Sequence, residues 1–155
     1  MTTISKILSI SVTPVIDATP ATPYASGDAL SSLLKFKSVN LSRDNTAFLQ
    51  SITVVDLESN NPALDFIVFS SLPAGSFTKN VAADIGDADM TKIVAMARVV
   101  NWKTFADNSI GISELVALPI KTTDGAFYIL PIVRGTPQYA DASNIVITVN
   151  LLQEE

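Results

Sequence analysis

The run AFYILPIV at residues 126–133 is the longest uninterrupted apolar stretch of the chain, and it decides the fold class. A second run, LDFIVF at residues 64–69, is apolar on both sides after Asp65. Short apolar runs between turn residues are typical of interior strands that are covered on both faces. We therefore expect two interior strands, and their outer faces are candidates for surface that a partner covers.

The segments around these two runs alternate apolar with polar residues. The pattern is seen in LSISVT at 8–13, LKFK at 34–37, SITV at 51–54 and IVITVN at 145–150. Such alternation indicates strands with one buried and one wetter face. Turn residues recur at intervals of roughly ten to twenty residues, which is typical of an all-β sandwich. The sequence predicts one domain over residues 1–155, an antiparallel, jelly-roll-like β-sandwich of eight or nine strands.

One segment, residues 84–95, has a helical pattern. Asp87 or Asp89 is placed to act as its N-cap, and we expect one or two helical turns. A strand over residues 96–102 should follow, because Val99 and Val100 are β-branched.

Residues 13–24 form a proline-rich extended segment that contains Pro14, Pro20 and Pro23. Proline has no N–H to donate to a sheet, so this segment is not a central strand. Two interpretations stay open. The segment is either a long surface loop or an arm that reaches across a neighbouring subunit.

The composition removes most catalytic chemistry. The chain has no His and no Cys, so it lacks the usual general base, the usual zinc ligands and any disulfide. Charged residues make up only 16% of the chain, against about 25% in an average domain. Sparsely charged surface is often surface that another subunit covers. The sequence therefore predicts a protein that is not an enzyme and binds no cofactor.

The net charge of −5 argues against two classes of partner. Nucleic acids and anionic membranes repel a chain with this balance. No apolar run reaches the length of a membrane span, and the first residues lack the pattern of a signal peptide. We expect a protein that is made in the cytosol and binds neither nucleic acid nor membrane.

Three weak patterns could carry chemistry. The acidic residues at 84–89 could hold a hard cation, although they suit a helix start better. Ser76 and Lys79 match S-x-x-K, but the companion motifs S-D-N and K-T-G are absent. Paired carboxylates could hydrolyse glycosides, and the candidates are Asp56, Glu58, Asp65 and Glu114. Structural roles are the expectation for all of them.

A small set of aromatic residues and prolines is predicted to contact a partner. Packing at the core or its rim is the favoured explanation for the aromatic residues, and contact with a protein or sugar is the functional interpretation. The predicted contact residues are Pro14, Pro20, Pro23, Tyr24, Trp102 and Tyr139.

Four segments together give the chain a family resemblance. They are YASGD at 24–28, NPALDFIVF at 61–69, IGDADMTKI at 85–93 and RGTPQY at 134–139. In order and approximate spacing, the chain resembles small structural proteins of tailed bacteriophages that are encoded beside the capsid genes. These proteins are capsid decoration, or cement, proteins. The resemblance covers about residues 8–151 and includes no catalytic motif.

The resemblance implies a β-sandwich that clusters, commonly as a trimer, on an icosahedral shell. The expected partner is the major capsid protein, and the expected location is the capsid surface of the virion after synthesis in the bacterial cytoplasm. Many copies on one shell make modest individual contacts sufficient. The alternative function is a carbohydrate- or receptor-binding module of a phage fibre, which would need an exposed aromatic platform.

Overall fold

The computed structural model describes residues 5–19, 21–37, 46–114, 117–122 and 125–154. Its elements are β1 (Ser5–Val12), β2 (Leu34–Lys37), β3 (Thr46–Asp56), β4 (Ala63–Phe69), α1 (Asp87–Met90), β5 (Ile93–Val99), β6 (Trp102–Thr104), β7 (Ser109–Ile112), β8 (Leu118–Lys121), β9 (Ala126–Arg134) and β10 (Ile145–Glu154). The prediction of an all-β protein with one short helix is confirmed, although the described residues form ten strands and not the eight or nine expected.

Two antiparallel sheets form a sandwich. The six-stranded sheet has the order β1-β10-β3-β7-β6, with β8 also paired to β3, and the four-stranded sheet has the order β2-β9-β4-β5. The pairs are nested, since β1 pairs with β10, β2 with β9, β3 with β8 and β4 with β5. Successive nested pairs alternate between the two sheets, which is the jelly-roll arrangement expected from the sequence.

The main core lies between the two sheets. The four-stranded sheet contributes Leu64, Phe66 and Val68 from β4, and the six-stranded sheet contributes Ile52 and Val54 from β3. These side chains are at alternate positions, as the period of two predicts. The strand residues of the main core are therefore those that the alternating pattern assigns to the buried face.

Pro131 lies in the middle of β9 without breaking the sheet. In an antiparallel strand, the N–H and C=O of one residue point to the same neighbour. The Pro131 carbonyl accepts a hydrogen bond from Leu30 N, so its ring nitrogen also points away from β4. The missing N–H therefore costs no hydrogen bond to β4, and the strand stays in register from Ala63↔Arg134 to Phe69↔Tyr128.

A second apolar core lies on the opposite side of the four-stranded sheet. Ile67 and Phe69 from β4 and Leu130 from β9 pack there with Ala29 and Phe77. The last two belong to residues 27–33 and 70–92, which we name the covering layer. Backbone hydrogen bonds join its two parts, from Ala29 N to Val81 O and from Asn80 N to Ala29 O, both at 2.9 Å.

The second core corrects one expectation. The outer faces of residues 64–69 and 126–133 were candidates for surface covered by a partner. Every residue of β9 from Ala126 to Val133 is instead buried within the chain, because the covering layer takes the outer face. The two apolar runs thus reflect a three-layer domain.

The helix is shorter than predicted and begins differently. Helix α1 is four residues long, and its N-cap is Gly86, which makes no side-chain cap. The N-cap prediction for Asp87 or Asp89 is wrong. Strand β5 begins at Ile93, three residues before the predicted start, because Ile93 joins the second core. No helix in the described ranges is long and apolar enough to cross a membrane.

The proline-rich segment packs on its own domain. Ile16 is fully buried in the main core, and Ile16 N donates to Ala142 O at 3.1 Å. Asp17 accepts a hydrogen bond from Asn80 Nδ2 at 2.6 Å, which ties the segment to the covering layer. The described residues of the segment therefore pack on their own domain, as the surface-loop interpretation predicts.

Candidate functional site

The outer face of the six-stranded sheet is a regular surface that the described residues leave uncovered. Glu154, opposite Ser5, is the last alternate position of β10 and is charged. The other outward positions of β1, β10, β3 and β7 alternate with the main-core residues and are uncharged. We name these positions the uncharged face. They are Ile7, Ser9, Ser11, Phe48, Ser51, Thr53, Val55, Ile110, Ile112, Val146, Thr148, Asn150 and Leu152.

Polar side chains form the centre of the uncharged face and bond to one another across strands. Ser9 Oγ donates to Asn150 Oδ1 at 2.7 Å, and Asn150 Nδ2 donates to Ser51 Oγ at 3.1 Å. The hydroxyls of Ser11 and Thr148 are 2.7 Å apart. Part of the hydrogen-bonding capacity is thus already satisfied within the sheet, which lowers the cost of removing water from this face.

Apolar side chains lie at both ends of the uncharged face. At one end, Ile7 is opposite Leu152, which is opposite Phe48. At the other end, Val55 lies between Val146 and Ile110. Such a face, with apolar ends around a hydroxyl-rich centre, has the low charge that is typical of the core of a protein interface.

Charged side chains reach only the rim of this face in the described residues. Lys103 is opposite Ile110 on β6, and Lys121 is opposite Thr46 on β8. Four strands about 4.8 Å apart, over about seven residues of 3.3 Å each, give the face roughly 450 Å². Ile7 is 75% exposed and Ile112 is 52% exposed, so solvent contacts large apolar side chains on this face.

The structure places two of the six predicted contact residues inside the domain. Tyr24 and Tyr139 are each 1% exposed, and their rings meet edge to face at 6.4 Å. The Tyr24 hydroxyl donates to Leu30 O at 2.7 Å, and burial raises its pKa to about 12. The Tyr139 hydroxyl contacts Asp56 Oδ2 at 3.3 Å, and burial, followed by the Asp56 charge, raises its pKa. Both side chains therefore belong to the core of the domain.

The other four predicted contact residues differ in position. Pro14 is buried in the domain, whereas Pro23 is exposed. Trp102 is half-buried against the main core, and its Nε1 donates to Pro62 O at 3.1 Å. Pro20 lies outside the described residues. None of them belongs to the uncharged face, so partner contact through Pro23 or Trp102 stays a prediction.

The uncharged face was missed in the sequence although its signal is present. Ser9, Ser11, Thr148 and Asn150 occupy the wetter side of two strands where Lys and Glu are common on ordinary surfaces. The alternation shows that these side chains point outward. It does not show that β1 and β10 are neighbours, and only neighbouring strands combine short polar stretches into one face.

Three of the four carboxylates considered for chemistry bind backbone N–H groups or arginine side chains. Asp56 is fully buried and accepts hydrogen bonds from Glu58 N and Asn61 N, at 2.9 and 3.1 Å. Glu58 Oε1 accepts from Ala140 N at 2.8 Å. Asp65 binds two arginines, which are described below. Glu114 lines a shallow groove beside β5. These contacts give Asp56, Glu58 and Asp65 structural roles.

Asp89 anchors the covering layer. Its Oδ1 accepts from Ala74 N at 2.8 Å and from Lys92 Nζ at 2.9 Å, and its Oδ2 accepts from Gly75 N at 2.9 Å. These hydrogen bonds, that of Lys92 first, lower the pKa of Asp89 to about 2. In the described ranges, no three acidic side chains come together as a metal site.

Lys79 of the S-x-x-K match donates to Ile16 O at 3.2 Å, in the proline-rich segment.

Comparisons with known proteins found no match. The chain matches no family model, no curated protein and no solved structure.

Proposed function

We propose that this chain is a non-enzymatic structural protein of a phage virion, which decorates the icosahedral capsid and stabilises it by binding the major capsid protein. The observation that carries the proposal is the uncharged face. Its side chains are hydrogen-bonded to one another across strands, and the covering layer lies on the other sheet.

The size and chemistry of this face suit a contact repeated many times. A standard interface buries about 800 Å² on each partner, so a face of roughly 450 Å² with its rim supports a modest contact. Covering it removes few charged groups from water, so little electrostatic free energy is lost. On a shell that carries many copies, modest contacts are enough, and association into a homo-oligomer, with a trimer favoured, adds to them.

The fold and the resemblance support the same proposal. Jelly rolls occur in viral capsid proteins, although they also occur in lectins, so the fold alone assigns no function. The four segments that resemble phage decoration proteins lie between residues 24 and 139, after β1 and before β10. The proposed location is the outer surface of the capsid, after synthesis in the cytoplasm of the bacterial host.

The alternative, a carbohydrate- or receptor-binding module of a phage fibre, has less support. It requires an exposed platform of aromatic rings, and Tyr24 and Tyr139 are buried. Trp102 is half-buried and engaged with Pro62 O. No observation in the described residues favours this alternative over the capsid role.

The test is binding to expanded shells assembled from the major capsid protein of the same genome. We expect the purified chain to bind at high, saturable copy number, which electron microscopy of the particles would count. Thr148→Lys, which places a charge at the centre of the uncharged face, should weaken binding at least tenfold. Thr78→Lys, on the exposed covering layer, is the matched control and should bind normally.

Two outcomes would contradict the proposal at different levels. If the chain neither binds expanded shells nor occurs in purified virions, the capsid role is wrong. If the chain binds and Thr148→Lys binds equally well, the capsid role stands and the contact surface lies elsewhere.

A further inference from the structure

A groove lies on the outer side of the four-stranded sheet, where the covering layer ends and the edge strand β5 begins. Its volume is about 400 Å³, and it is lined by Asp65, Ile67, Met96, Ala97, Arg98 and Arg134. These residues come from three adjacent strands, β9, β4 and β5, so a continuous piece of sheet forms the floor.

Two arginines in this groove share one carboxylate. Arg98 donates from Nε to Asp65 Oδ1 at 2.6 Å and from Nη2 to Asp65 Oδ2 at 3.1 Å. Arg134 donates from Nε to Asp65 Oδ2 at 2.7 Å. Partial burial of Asp65 favours its neutral form, but the hydrogen bonds from Arg98 and Arg134 outweigh that effect and lower its pKa. Asp65 therefore holds both side chains in fixed positions at neutral pH.

The shared carboxylate leaves the groove with an excess of positive charge and free donors. Each guanidinium has five N–H groups, of which Arg98 uses two and Arg134 uses one on Asp65. The remaining donors have no acceptor among the described residues. Because two cations share one anion, the cluster carries a formal charge of about +1 in a chain whose net charge is −5.

An apolar patch lies beside these donors. Met96 is 62% exposed, and it is opposite Ile67 in the strand register. Val94 in β5 and Val100, which directly follows the strand, are also exposed. The groove thus offers forked donors next to apolar surface, over a distance of one or two residues of an extended chain.

We propose that this groove binds an acidic side chain of a protein partner, with Arg98 and Arg134 donating to the carboxylate and Met96 contacting an adjacent apolar residue. Arginine matches carboxylates through two parallel N–H groups, and positions that are already fixed reduce the entropy lost on binding. This site lies on the opposite sheet from the uncharged face, and its assignment does not depend on the proposed capsid role.

A single carboxylate fits the groove better than a phosphate chain. Asp65 already neutralises one of the two guanidinium charges, and the net charge of the whole chain repels polyanions. An apolar neighbour also has no counterpart in a nucleic acid backbone. A glutamate or aspartate beside a leucine-like residue satisfies both halves of the groove.

The experiment is an NMR titration of the ¹⁵N-labelled full chain at low salt. The probe is the blocked dipeptide N-acetyl-Leu-Glu-amide, its matched control is N-acetyl-Leu-Gln-amide, and inorganic phosphate is the third arm. We expect the Glu peptide to shift the Nε–H signals of Arg98 and Arg134 saturably. Arg134→Gln should weaken this binding at least tenfold, and Lys103→Gln, which removes one positive charge from the other sheet, should change it less than twofold.

The contrary results are distinct. Absence of a saturable shift, or equal shifts with the Gln peptide, would overturn the carboxylate site. Tighter binding of phosphate than of the Glu peptide would assign the groove to a phosphate-bearing ligand instead. Equal weakening by Lys103→Gln would reduce the effect to overall charge. An unchanged backbone spectrum for Arg134→Gln shows that the variant is folded, and full affinity in Arg134→Lys would exclude forked recognition.

Discussion

The outer faces of the two sheets differ in the side chains they carry and in whether the chain covers them. The four-stranded sheet carries apolar residues outward, and the covering layer of the same chain buries them. The six-stranded sheet carries short, uncharged side chains outward, and nothing in the described residues covers it. The low charge of the chain therefore has two causes. One is a second core inside the domain, and the other is a surface free of charge.

The largest difference in stability between the two faces should appear when the same charge is placed on each of them. Leu130→Lys puts an ammonium group into the second core, where Leu130 is fully buried. An isolated buried charge costs more than a domain of this size can tolerate, so we expect the variant to be largely unfolded or to have lost the covering layer. Thr148→Lys should stay within about 1 kcal/mol of the unchanged chain, because an exposed lysine keeps its water. Far-UV circular dichroism and urea denaturation measure both, and a folded Leu130→Lys would contradict the second core.

Removing apolar volume from each face should show the same contrast at lower cost. Phe69 is fully buried and stacks on Phe77 with ring centres 6.5 Å apart. Phe69→Ala should lower the free energy of unfolding by about 3–5 kcal/mol, through lost contacts and the cavity that is left. Ile112→Ala on the uncharged face, where solvent already reaches the side chain, should cost less than about 1 kcal/mol. Comparable losses in urea denaturation would mean that the two faces are equally buried.

Acid should loosen the covering layer before it affects the uncharged face. The folded-state pKa of Asp89 is about 2, below its ordinary value of 3.8. The stabilisation from Asp89 is therefore fully present above pH 3.8 and is lost as the pH falls towards 2. The amide signals of Ala74 and Gly75 should titrate with this low pKa, and Asp89→Asn should remove that titration. Asp141→Asn is the control, since it removes another carboxylate of lowered pKa outside the covering layer. Unchanged amide signals down to pH 2 would contradict the anchor role.

The smallest effect concerns the polar centre of the uncharged face. The Ser11 and Thr148 hydroxyls bond to each other in solvent, and such pairs contribute roughly 0.2–1 kcal/mol. Ser11→Ala should therefore lower the free energy of unfolding by less than about 1 kcal/mol. A loss of several kcal/mol would show that the face has a larger structural role in the domain than its exposure indicates.

Much of the fold follows from local patterns. The period of two in residues 145–150 and the double-sided apolar run at 126–133 gave strands that the structure confirms. These predictions held because a side chain's face depends only on its position along the strand. The N-cap at Asp87 or Asp89 was wrong for a complementary reason. An aspartate before a short helix suits a cap locally, but Asp89 is drawn instead to the backbone of Ala74 and Gly75, fourteen to fifteen residues away.

The candidate sites were harder to predict because they depend on which strands and loops become neighbours in the fold. Tyr24 and Tyr139 are both near turns in the sequence, yet they meet in the core because the two segments pair, with Tyr24 N donating to Pro137 O at 3.0 Å. Arg98 and Arg134 were scattered basic residues in the sequence. Only the order β9-β4-β5 brings them to one carboxylate.

Three properties follow from the sequence alone: the fold class, the lack of histidine and cysteine chemistry, and which side chains of each alternating strand point inward. These properties depend on composition and on the period of the strand. The tertiary structure alone decided which of the two sheets is covered, where charge is absent over a whole face, and which arginines share Asp65. Those properties depend on which strands become neighbours, and hydrogen bonds between residues as distant as Ser9 and Asn150 leave no local mark on the sequence.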